Sequence, residues 1–534
     1  MKNKILVVDK HLIKKNNDYY NDLINIFPMH KNDGAYRTSL SNLKKRSKLQ
    51  SNFYKKIYPK LKKIYFDNEL YNYSEFNIVF NQIFVKFTNI FIDHYIRINF
   101  RLKQKGAFKV MKVNKINTED SHSFFLTFAS SWHANQYLSM KICNTLNIES
   151  KKIKRFKNYP ELLLKEKIKN VIFAPYGSIF TNIKRRITTI KIICSKFLGK
   201  IINLNKKILS AGFSSDEYYF AKNGAYGPLG FFYRINDNYP DIIRTKKNIN
   251  KRKKIKEQIT EDIENLFFDF LKQINQDISK KESKNIFMLW NNLVLDWFPI
   301  FLFENYQQNI ENYKLFLKKN KFNKYLIGEP STLIDNDRGL LLSLSVRNLN
   351  GKILGIQHSA GHFGYIDDLS FGNYFEYSHY DKYFTFGWNQ TNSYLPKSEF
   401  IKMPCPKLSS SPLKNNFLKN KNKFLSKKDI LFLSNTLSRF PMGGTCGHAR
   451  IDFVDQILKS QSEMINFVIK NKISIIHKPY NVNVRLLFKD HFNSLESIDS
   501  SLYSLLNINQ KGLTIDLIKK AKIILWDQIG SGTV

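Results

Sequence analysis

Polar residues that can exchange protons follow two short apolar runs in the middle of the sequence. The run ILGI ends in Gln357 and His358, and a loop that contains Gly361 comes next. A histidine can exchange a proton near neutral pH, and a glycine lets the backbone approach a ligand closely. Glu329 follows the run YLIG and is a candidate general base. These positions predict that Glu329 and His358 are catalytic candidates, with Gln357 and Gly361 beside a ligand.

Each of these residues also has a purely structural interpretation. The loop after His358 fits a turn with a satisfied histidine, and a glutamate at a strand end commonly caps a helix or forms an ion pair. His358 and His362 have the i, i+4 spacing of some zinc sites, but serine rather than glutamate follows His358. Cys446 and His448 form an isolated pair. The sequence therefore predicts neither a metal site nor a resident cofactor.

A second group of donors follows three apolar runs near the carboxyl terminus. Ser434 ends the run ILFL, and Arg439 and a glycine-bearing loop lead from it toward a helix, whose free amide groups would attract an anion. The run ISII ends in His477 and Lys478, two donors that suit a phosphate. The run IILW precedes small residues that can wrap a diphosphate, namely Asp527, Gly530, Ser531, Gly532 and Thr533. The loop after Arg439 is not a Walker loop, because no GK[ST] follows its glycines. The pattern predicts a phosphate site, with a packed histidine beside a surface lysine as the alternative for the second run.

The elements that must position these residues are the apolar runs themselves. They lie at 5–9, 123–131, 170–178, 324–331, 352–361, 383–388, 430–436, 473–480 and 521–527. Four to six apolar residues without alternation are typical of strands that are buried on both faces, as in parallel sheets covered by helices. In such sheets a ligand binds outside the carboxyl ends of the strands. The predicted fold class is therefore α/β, with doubly wound sheets.

The domain organisation follows from a change in composition. Residues 54–100 and 251–319 have helical periodicity, which predicts helical insertions in the first half of the chain. Residues 389–428 are rich in Pro, Ser, Asn and Lys, and we interpret them as a linker between two domains, 1–388 and 429–534. The sequence stops just after a loop that would normally begin a helix. We therefore expect the second domain to be incomplete, and the chain to be a shortened form of a longer one.

The charge of the chain has two interpretations. The 534 residues include 85 Lys and Arg against 44 Asp and Glu, a net charge of +41 that would attract nucleic acid or anionic lipid. The lysines are nevertheless spread along the whole chain among residues that A/T-rich codons specify. We attribute most of the charge to that bias. Nucleic acid is therefore a minor hypothesis, in which the chain would be a noncatalytic basic protein, and an anionic inner membrane surface remains a partner.

The cysteines and the apolar segments predict the compartment. Four cysteines stand far apart without a CxxC pair, which is typical of reduced thiols in a cytosolic protein. The first apolar run is too short for a signal peptide, and polar residues interrupt 78–92 well before the roughly 20 residues of a spanning helix. We predict a cytoplasmic protein without a transmembrane segment, peripheral at the inner face of the membrane.

Two of these segments resemble a family of transferases found with surface-carbohydrate loci in bacteria. That family has a strand ending in a QHGG-like turn and then a D-x-x-F-x-W-G-W-like segment, where this chain has QHSAG at 357–361 and DKYFTFGW at 381–388. GT-B glycosyltransferases and teichoic-acid-type glycerophosphotransferases have motifs in a similar order. In them a strand ends in an HP pair, and a D-x-x-S-[ST] segment follows later, near the donor phosphates. Here Lys478 separates the histidine and the proline, and QIGSGT follows Asp527.

The resemblance covers about residues 325–534 and implies a metal-independent enzyme with two Rossmann-like domains. Such an enzyme moves a sugar from a nucleotide-activated donor to a surface polysaccharide or a lipid-linked glycan. The donor phosphates would then lie at His477, Lys478 and Ser531 to Thr533, and the acceptor would lie in the N-terminal domain with Glu329 or His358 as the base. The alternative reaction, transfer of glycerophosphate or polyol phosphate, differs only in its donor.

Overall fold

The computed structural model of the chain describes most of the helical half and three sets of strands. The described residues are 4–8, 22–26, 40–116, 120–122, 131–153, 208–211, 232–234, 239–259, 261–320, 322, 324–334, 336–357, 377–387, 398–403, 428–434, 454–479, 488–498, 501–506, 517–518 and 521–526. Every structural statement below concerns these residues.

The strands form three sheets. The first contains β1 (Ile5–Val7), β2 (Leu23–Asn25), β3 (Lys109–Met111) and β4 (Ser150–Lys151). The second contains β5 (Ile208–Ser210), β6 (Phe232–Arg234), β7 (Tyr325–Gly328), β8 (Lys352–Ile356), β9 (Lys382–Phe386) and β10 (Glu399–Met403). The third contains β11 (Lys428–Leu433), β12 (Ile475–Lys478), β13 (Tyr503–Leu505) and β14 (Ala521–Trp526).

Helices fill the intervals between the strands. They are α1 (Leu40–Asp67), α2 (Tyr73–Val79), α3 (Lys86–Lys105), α4 (Trp132–Thr145), α5 (Ile249–Gln258), α6 (Glu261–Ile274), α7 (Lys280–Asp296), α8 (Ile300–Phe303), α9 (Tyr306–Lys319), α10 (Pro330–Leu333), α11 (Asp337–Asn348), α12 (Val454–Lys470) and α13 (Lys489–Glu496). A π-helix (Phe80–Val85) joins α2 to α3, and a 3-10 turn (Tyr377–His379) precedes β9. The predicted helical stretches 54–100 and 251–319 are confirmed.

Every described strand pair is parallel, so the predicted α/β class is confirmed. The strand orders are β2-β1-β3-β4, β10-β9-β8-β7-β5-β6 and β13-β12-β11-β14. Each order reverses once, between β1 and β3, between β5 and β7, and between β11 and β14. Such reversal points open a crevice outside the carboxyl ends of the strands, which is where doubly wound sheets bind ligands.

The described residues form one large buried cluster and three smaller ones. The larger buried cluster contains residues of the first two sheets together with those of α1 to α4 and α5 to α11. The strands of the third sheet have their own clusters on each face, one with Phe432 and Ile475 beneath α12 and α13, and one with Leu433 and Ile476. Alternate residues of a strand point to opposite faces, so the third sheet is apolar on both sides, as parallel sheets are.

The described strands before residue 389 form two sheets, because β1 to β4 pair only with each other. The structure differs from the sequence prediction in one respect. The segment 389–428 was predicted to be a linker, yet it contains β10, which pairs with β9 over five residues. Its composition concealed that strand, because only EFIKM is strand-like. The apolar runs at 123–131 and 170–178 lie outside the described residues, apart from Ser131, which caps α4.

Among the described helices, none is both long enough and apolar enough to cross a membrane.

Candidate functional site

Glu329 lies at the carboxyl end of β7, where the chain turns into the short helix α10. Its side chain is 3% exposed, and its carbonyl oxygen accepts hydrogen bonds from the backbone of Thr332 and Leu333, at 3.0 Å each. The turn is compact because Gly339, at the start of α11, lies against it. A Cβ on Gly339 would be 1.9 Å from the carbonyl oxygen of Thr332. The glutamate is therefore held in a tight turn at the edge where a ligand is expected.

Gln357 links the ends of two neighbouring strands. It follows β8, is 1% exposed, and its side-chain oxygen accepts a hydrogen bond of 2.8 Å from the backbone amide of Phe386 in β9. Its own backbone amide donates to the carbonyl of Phe384, at 3.0 Å. The side-chain oxygen thus stabilises the edge of the sheet, and a role of Gln357 in donor binding stays a prediction.

A polar network stands at the first residue of α11, shortly after Glu329. Both oxygens of Asp337 are used. Oδ1 accepts from the Ser121 hydroxyl at 2.8 Å and lies 2.5 Å from His122 Nδ1, while Oδ2 accepts from Arg244 Nη2 at 2.9 Å. His122 Nε2 lies 2.8 Å from the carbonyl oxygen of Ile334. Both ring nitrogens of His122 therefore face oxygen atoms that can only accept hydrogen bonds.

The electrostatics of this network favour an ionised Asp337. Burial alone would raise its pKa, but hydrogen bonds from His122 and Ser121 and the charges of His122 and Arg244 outweigh it, so the pKa is lowered. The Arg244 guanidinium also lies 5.3 Å from the centre of the Phe301 ring. The network therefore fixes three separate chain segments, 120–122, 239–259 and α11, at one place beside the turn of Glu329.

His477 lies inside the third sheet and not at its surface. It is fully buried, its Nε2 is 2.9 Å from the hydroxyl of Ser434, and its Nδ1 is 3.2 Å from the hydroxyl of Tyr503. The ring also lies 4.7 Å from that of Phe432 and 6.0 Å from that of Phe492. The packed-histidine alternative describes this geometry, and His477 in β12 joins the end of β11 to the start of β13.

Lys478, unlike the neighbouring His477, is only partly buried. It ends β12 beside the end of β11, where the Ser434 amide donates to its carbonyl oxygen at 3.2 Å. Its side chain is partly buried, and burial lowers its pKa. No carboxylate of the described residues pairs with its ammonium. The structure thus places one half-desolvated cation at the predicted edge, beside the buried Ser434.

The opposite edge of the same sheet has a paired charge. Asp429, at the start of β11, lies 2.6 Å from Lys522 Nζ in β14 and accepts from the hydroxyl of Ser474 at 2.8 Å. These hydrogen bonds, with that from Lys522 the strongest, lower the pKa of Asp429 to about 2. At the amino edge, the ion pair of Asp429 with Lys522 and the hydrogen bond from Ser474 therefore join three segments of the sheet.

The structure brings some predicted site residues together and is silent on others. Ser434, His477 and Lys478 meet at the carboxyl edge of the third sheet, and Glu329 and Gln357 follow neighbouring strands of the second. The remaining predicted positions lie outside the described residues, and they are His358, Gly361, Arg439, Asp527, Gly530, Ser531, Gly532 and Thr533.

Sequence reasoning missed Asp337, His122, Arg244 and Tyr503. The predicted site residues directly follow apolar runs, whereas His122 precedes such a run and Arg244 lies in a polar stretch. Asp337 had a usable signal, because Asn336 and Asp337 precede an apolar helical segment as capping residues do, and Asn336 does cap α11. Nothing local marks Tyr503, whose partner is 26 residues away.

Metal ligands do not gather in the described part of the chain, where no group of three or more His, Cys, Asp or Glu side chains could hold an ion.

Comparisons with known proteins give a family and two distant structural likenesses. UDP-N-acetylglucosamine 2-epimerase from Rickettsia bellii aligns with a TM-score of 0.30 and 12% identity, over 60% of this chain and 74% of its own. Methanocaldococcus jannaschii UDP-GlcNAc 2-epimerase, in complex with UDP-GlcNAc and UDP, aligns with a TM-score of 0.31 and 12% identity, over 60% and 78%. No curated protein sequence matches. A family model described as LIC12162 family transferase matches residues 30–508, which is most of the chain, and the protein therefore belongs to the LIC12162 family of transferases.

Proposed function

We propose that this transferase moves a sugar from a nucleotide-activated donor to a surface polysaccharide or lipid-linked glycan. The observation that carries the proposal is Lys478, a partly buried ammonium without a carboxylate partner in the described residues, at the carboxyl edge of a parallel sheet. Membership of a transferase family supports group transfer. The donor, the acceptor and the cellular location at the inner membrane face are parts of the proposal.

The donor phosphates are proposed to bind at the carboxyl edge of the third sheet. The crevice of a doubly wound sheet opens where the strand order reverses, here between β11 and β14, and Ser434 ends β11 at that point. Lys478 lies on the adjacent strand. A diphosphate bound there would restore to the ammonium the charge partner that it lacks, and would raise its lowered pKa again.

Lys478 would also assist the chemistry. When the bond between the sugar and the phosphate breaks, negative charge develops on the departing nucleoside diphosphate. A positioned ammonium in a partly dehydrated site stabilises that charge more in the transition state than in the ground state. His477 would act as a positioning residue, because it holds the Ser434 hydroxyl and does not reach the surface itself.

The acceptor is proposed to bind at the carboxyl edge of the second sheet. Glu329 would accept the proton of the attacking hydroxyl there, with His358 as the other candidate base. The Asp337 network would keep the turn of Glu329 in place, since α11 and α10 pack together at Gly339. In this arrangement one sheet supplies the base and another holds the leaving group.

The test measures binding of uridine, cytidine and guanosine diphosphates to the full chain by thermal shift and by calorimetry. We expect at least one of them to protect the wild-type protein. Lys478→Ala should weaken its binding about 10- to 100-fold, since a hydrogen bond to a charged group contributes roughly 1.5–3 kcal/mol. Lys478→Arg should retain part of the affinity.

Lys522→Ala is the matched control, because it removes one lysine from the same sheet at the amino edge. It should leave nucleotide affinity unchanged even if it lowers the melting temperature. The proposal fails if no nucleotide diphosphate protects the wild type, or if both alanine variants bind with equal affinity.

A further inference from the structure

We propose that the acceptor carries an anionic group, a phosphate or a carboxylate, and that Arg338 binds this group at the carboxyl edge of the second sheet. Arg338 is the second residue of α11, directly after Asp337, and it is exposed. The inference rests on the proposed function for the identity of the ligand as an acceptor. The binding of an anion depends only on Arg338 and the residues around it.

Arg338 lies at the point where the strand order of the second sheet reverses. Its guanidinium carbon is 5.8 Å from the centre of the Tyr239 ring. The Tyr239 hydroxyl donates a hydrogen bond of 3.1 Å to the carbonyl oxygen of Ala211, which directly follows β5. The helices α10 and α11 follow β7, the neighbour of β5 in the sheet. Arg338 and Tyr239 therefore flank the crevice between β5 and β7, where a doubly wound sheet binds its ligand.

The guanidinium of Arg338 has no carboxylate partner in the part of the chain that the structure describes. The carboxylate of the preceding residue, Asp337, already accepts hydrogen bonds within its own network, and consecutive helix residues do not face each other. A cation in the first turn of a helix is also unfavourable, because the helix dipole is positive there. A bound anion would supply the opposite charge that this position lacks.

A second guanidinium, that of Arg244, lies near the first. Burial raises the pKa of Tyr313, and the charges of Arg338 and Arg244 both oppose that rise, so both groups lie around the Tyr313 hydroxyl. The nitrogens of Arg244 donate to Asp337 and to two backbone carbonyls. Arg244 therefore belongs to the polar network that fixes this edge, whereas the N–H groups of Arg338 remain available to a ligand.

The chemistry of a guanidinium favours a particular class of ligand. Its planar fork of N–H donors matches the paired oxygens of a carboxylate or a phosphate. The contact of Arg338 with Tyr239 is with the ring, so it uses none of these donors in an ordinary hydrogen bond. A neutral hydroxyl would leave the positive charge unpaired. An anionic group held here would fix the acceptor beside Glu329, the proposed base.

The experiment measures the binding of glucose 6-phosphate, glucuronate and glucose to the full chain by calorimetry. We expect at least one of the two anionic probes to bind more tightly than neutral glucose. Arg338→Gln should weaken that binding about 10-fold, since hydrogen bonds to a charged group are lost. Arg338→Lys should retain part of the affinity, because it keeps the charge but not the planar fork. The probe that binds more tightly identifies the group as a phosphate or a carboxylate.

Lys324→Gln is the matched control. Lys324 is also exposed and lies 5.5 Å from the centre of a tyrosine ring, that of Tyr325, but it stands at the amino end of β7. Its substitution should leave the binding of both anionic probes unchanged. Equal weakening in the two glutamine variants would overturn the proposal, and so would glucose binding as tight as that of the anions. The melting temperatures of both variants confirm that they fold.

A third variant separates this inference from the proposed sugar transfer. Lys478→Ala should leave the binding of the anionic probes unchanged, because Lys478 lies on the third sheet. If that variant loses the binding and Arg338→Gln keeps it, the probes occupy the proposed donor site and the inference is wrong. If nucleoside diphosphates fail to protect the chain while the binding that depends on Arg338 persists, the anion site is supported and the sugar-transfer proposal fails.

Discussion

The carboxyl edges of the second and third sheets present polar groups in opposite ways. At the second sheet the Asp337 carboxylate has three side-chain partners, and Gln357 closes the ends of β8 and β9. At the third sheet the ammonium of Lys478 has no carboxylate partner among the described residues. A satisfied network holds a backbone in place, whereas an unsatisfied cation favours a ligand that supplies the missing charge. Substitutions at the two edges should therefore affect different properties.

The largest effect is expected for Asp337→Ala. The side chain is 11% exposed, and its removal leaves His122 and Arg244 without their shared anion. Breaking a buried pair by removing one partner typically costs about 3–5 kcal/mol of unfolding free energy. Urea denaturation of the full chain measures it.

Asp296→Ala is the control for that prediction. Its pair with Lys247 is long, at 3.5 Å, and the carboxylate is 54% exposed. Exposed pairs contribute about 0–1 kcal/mol. If the two variants lost the same stability, the Asp337 network would not be holding the second edge.

An intermediate effect is expected for Gly339→Ala. The new methyl group would meet a backbone carbonyl at 1.9 Å, and backbone cannot move away as a side-chain end can. Overpacking of this kind costs about 1–3 kcal/mol. The added strain should also displace Glu329. Transferase activity should therefore fall by more than the loss of folded protein accounts for.

Ser345→Ala, on the same helix, is the matched control for Gly339→Ala. Its hydroxyl is buried without a hydrogen-bond partner in the described part of the chain. Its removal should change the unfolding free energy by no more than about 0.5 kcal/mol. A larger loss in the serine variant than in the glycine variant would contradict the close-packing argument.

The smallest effect, and the only favourable one, is expected for Lys478→Met in the absence of ligand. Because burial lowers its pKa, folding disfavours the charged form of this lysine. Its replacement should stabilise the free protein by about 0.5–1 kcal/mol, a common gain at functional positions. Lys522→Met should instead destabilise it, since Lys522 pairs with Asp429. A loss of stability in both variants would remove the contrast between the two edges.

The advantage of Lys478→Met should also depend on pH. Between the lowered folded pKa and the unfolded value of about 10.4, the unfolded wild type binds more protons than the native protein. Wild-type stability therefore rises with pH through this window, while the variant lacks that contribution. The difference in unfolding free energy between the two proteins is largest below the folded pKa and should disappear above about pH 10.4. Denaturation curves of both proteins from neutral to alkaline pH test this.

The sequence predicted seven of the fourteen described strands and the two helical stretches 54–100 and 251–319, but not the other seven strands or which strands pair. Uninterrupted apolar runs such as ILFL and ISII predict buried strands, and β11 and β12 are there. The pattern could not show that β1 to β4 form a sheet of their own, since its central pair joins β1 to β3, about 100 residues further along the chain. The strand β10 was missed because two of its five residues are charged and its surroundings are rich in Pro, Ser, Asn and Lys.

Residues of the candidate site were predictable only where a side chain suited to binding or catalysis directly follows an apolar run. Ser434, His477 and Lys478 follow apolar runs, and the structure brings them to one edge. Their neighbours in the chain did not reveal which would be buried, and His477 is enclosed by Phe432, Phe492 and Tyr503. Asp337 and His122 lie 215 positions apart, so no local pattern links them.

The sequence by itself determined the α/β class, the helical insertions and the position of Lys478 at a strand end, because periodicity and residue type are local properties. Only the tertiary structure decided that His477 is enclosed while Lys478 is partly open, and that Asp337 gathers His122, Ser121 and Arg244. Those distinctions depend on which face of a strand is covered and which distant segments meet. Burial and charge pairing are set by that three-dimensional arrangement, and they separate residues that hold the fold from those proposed to bind a ligand.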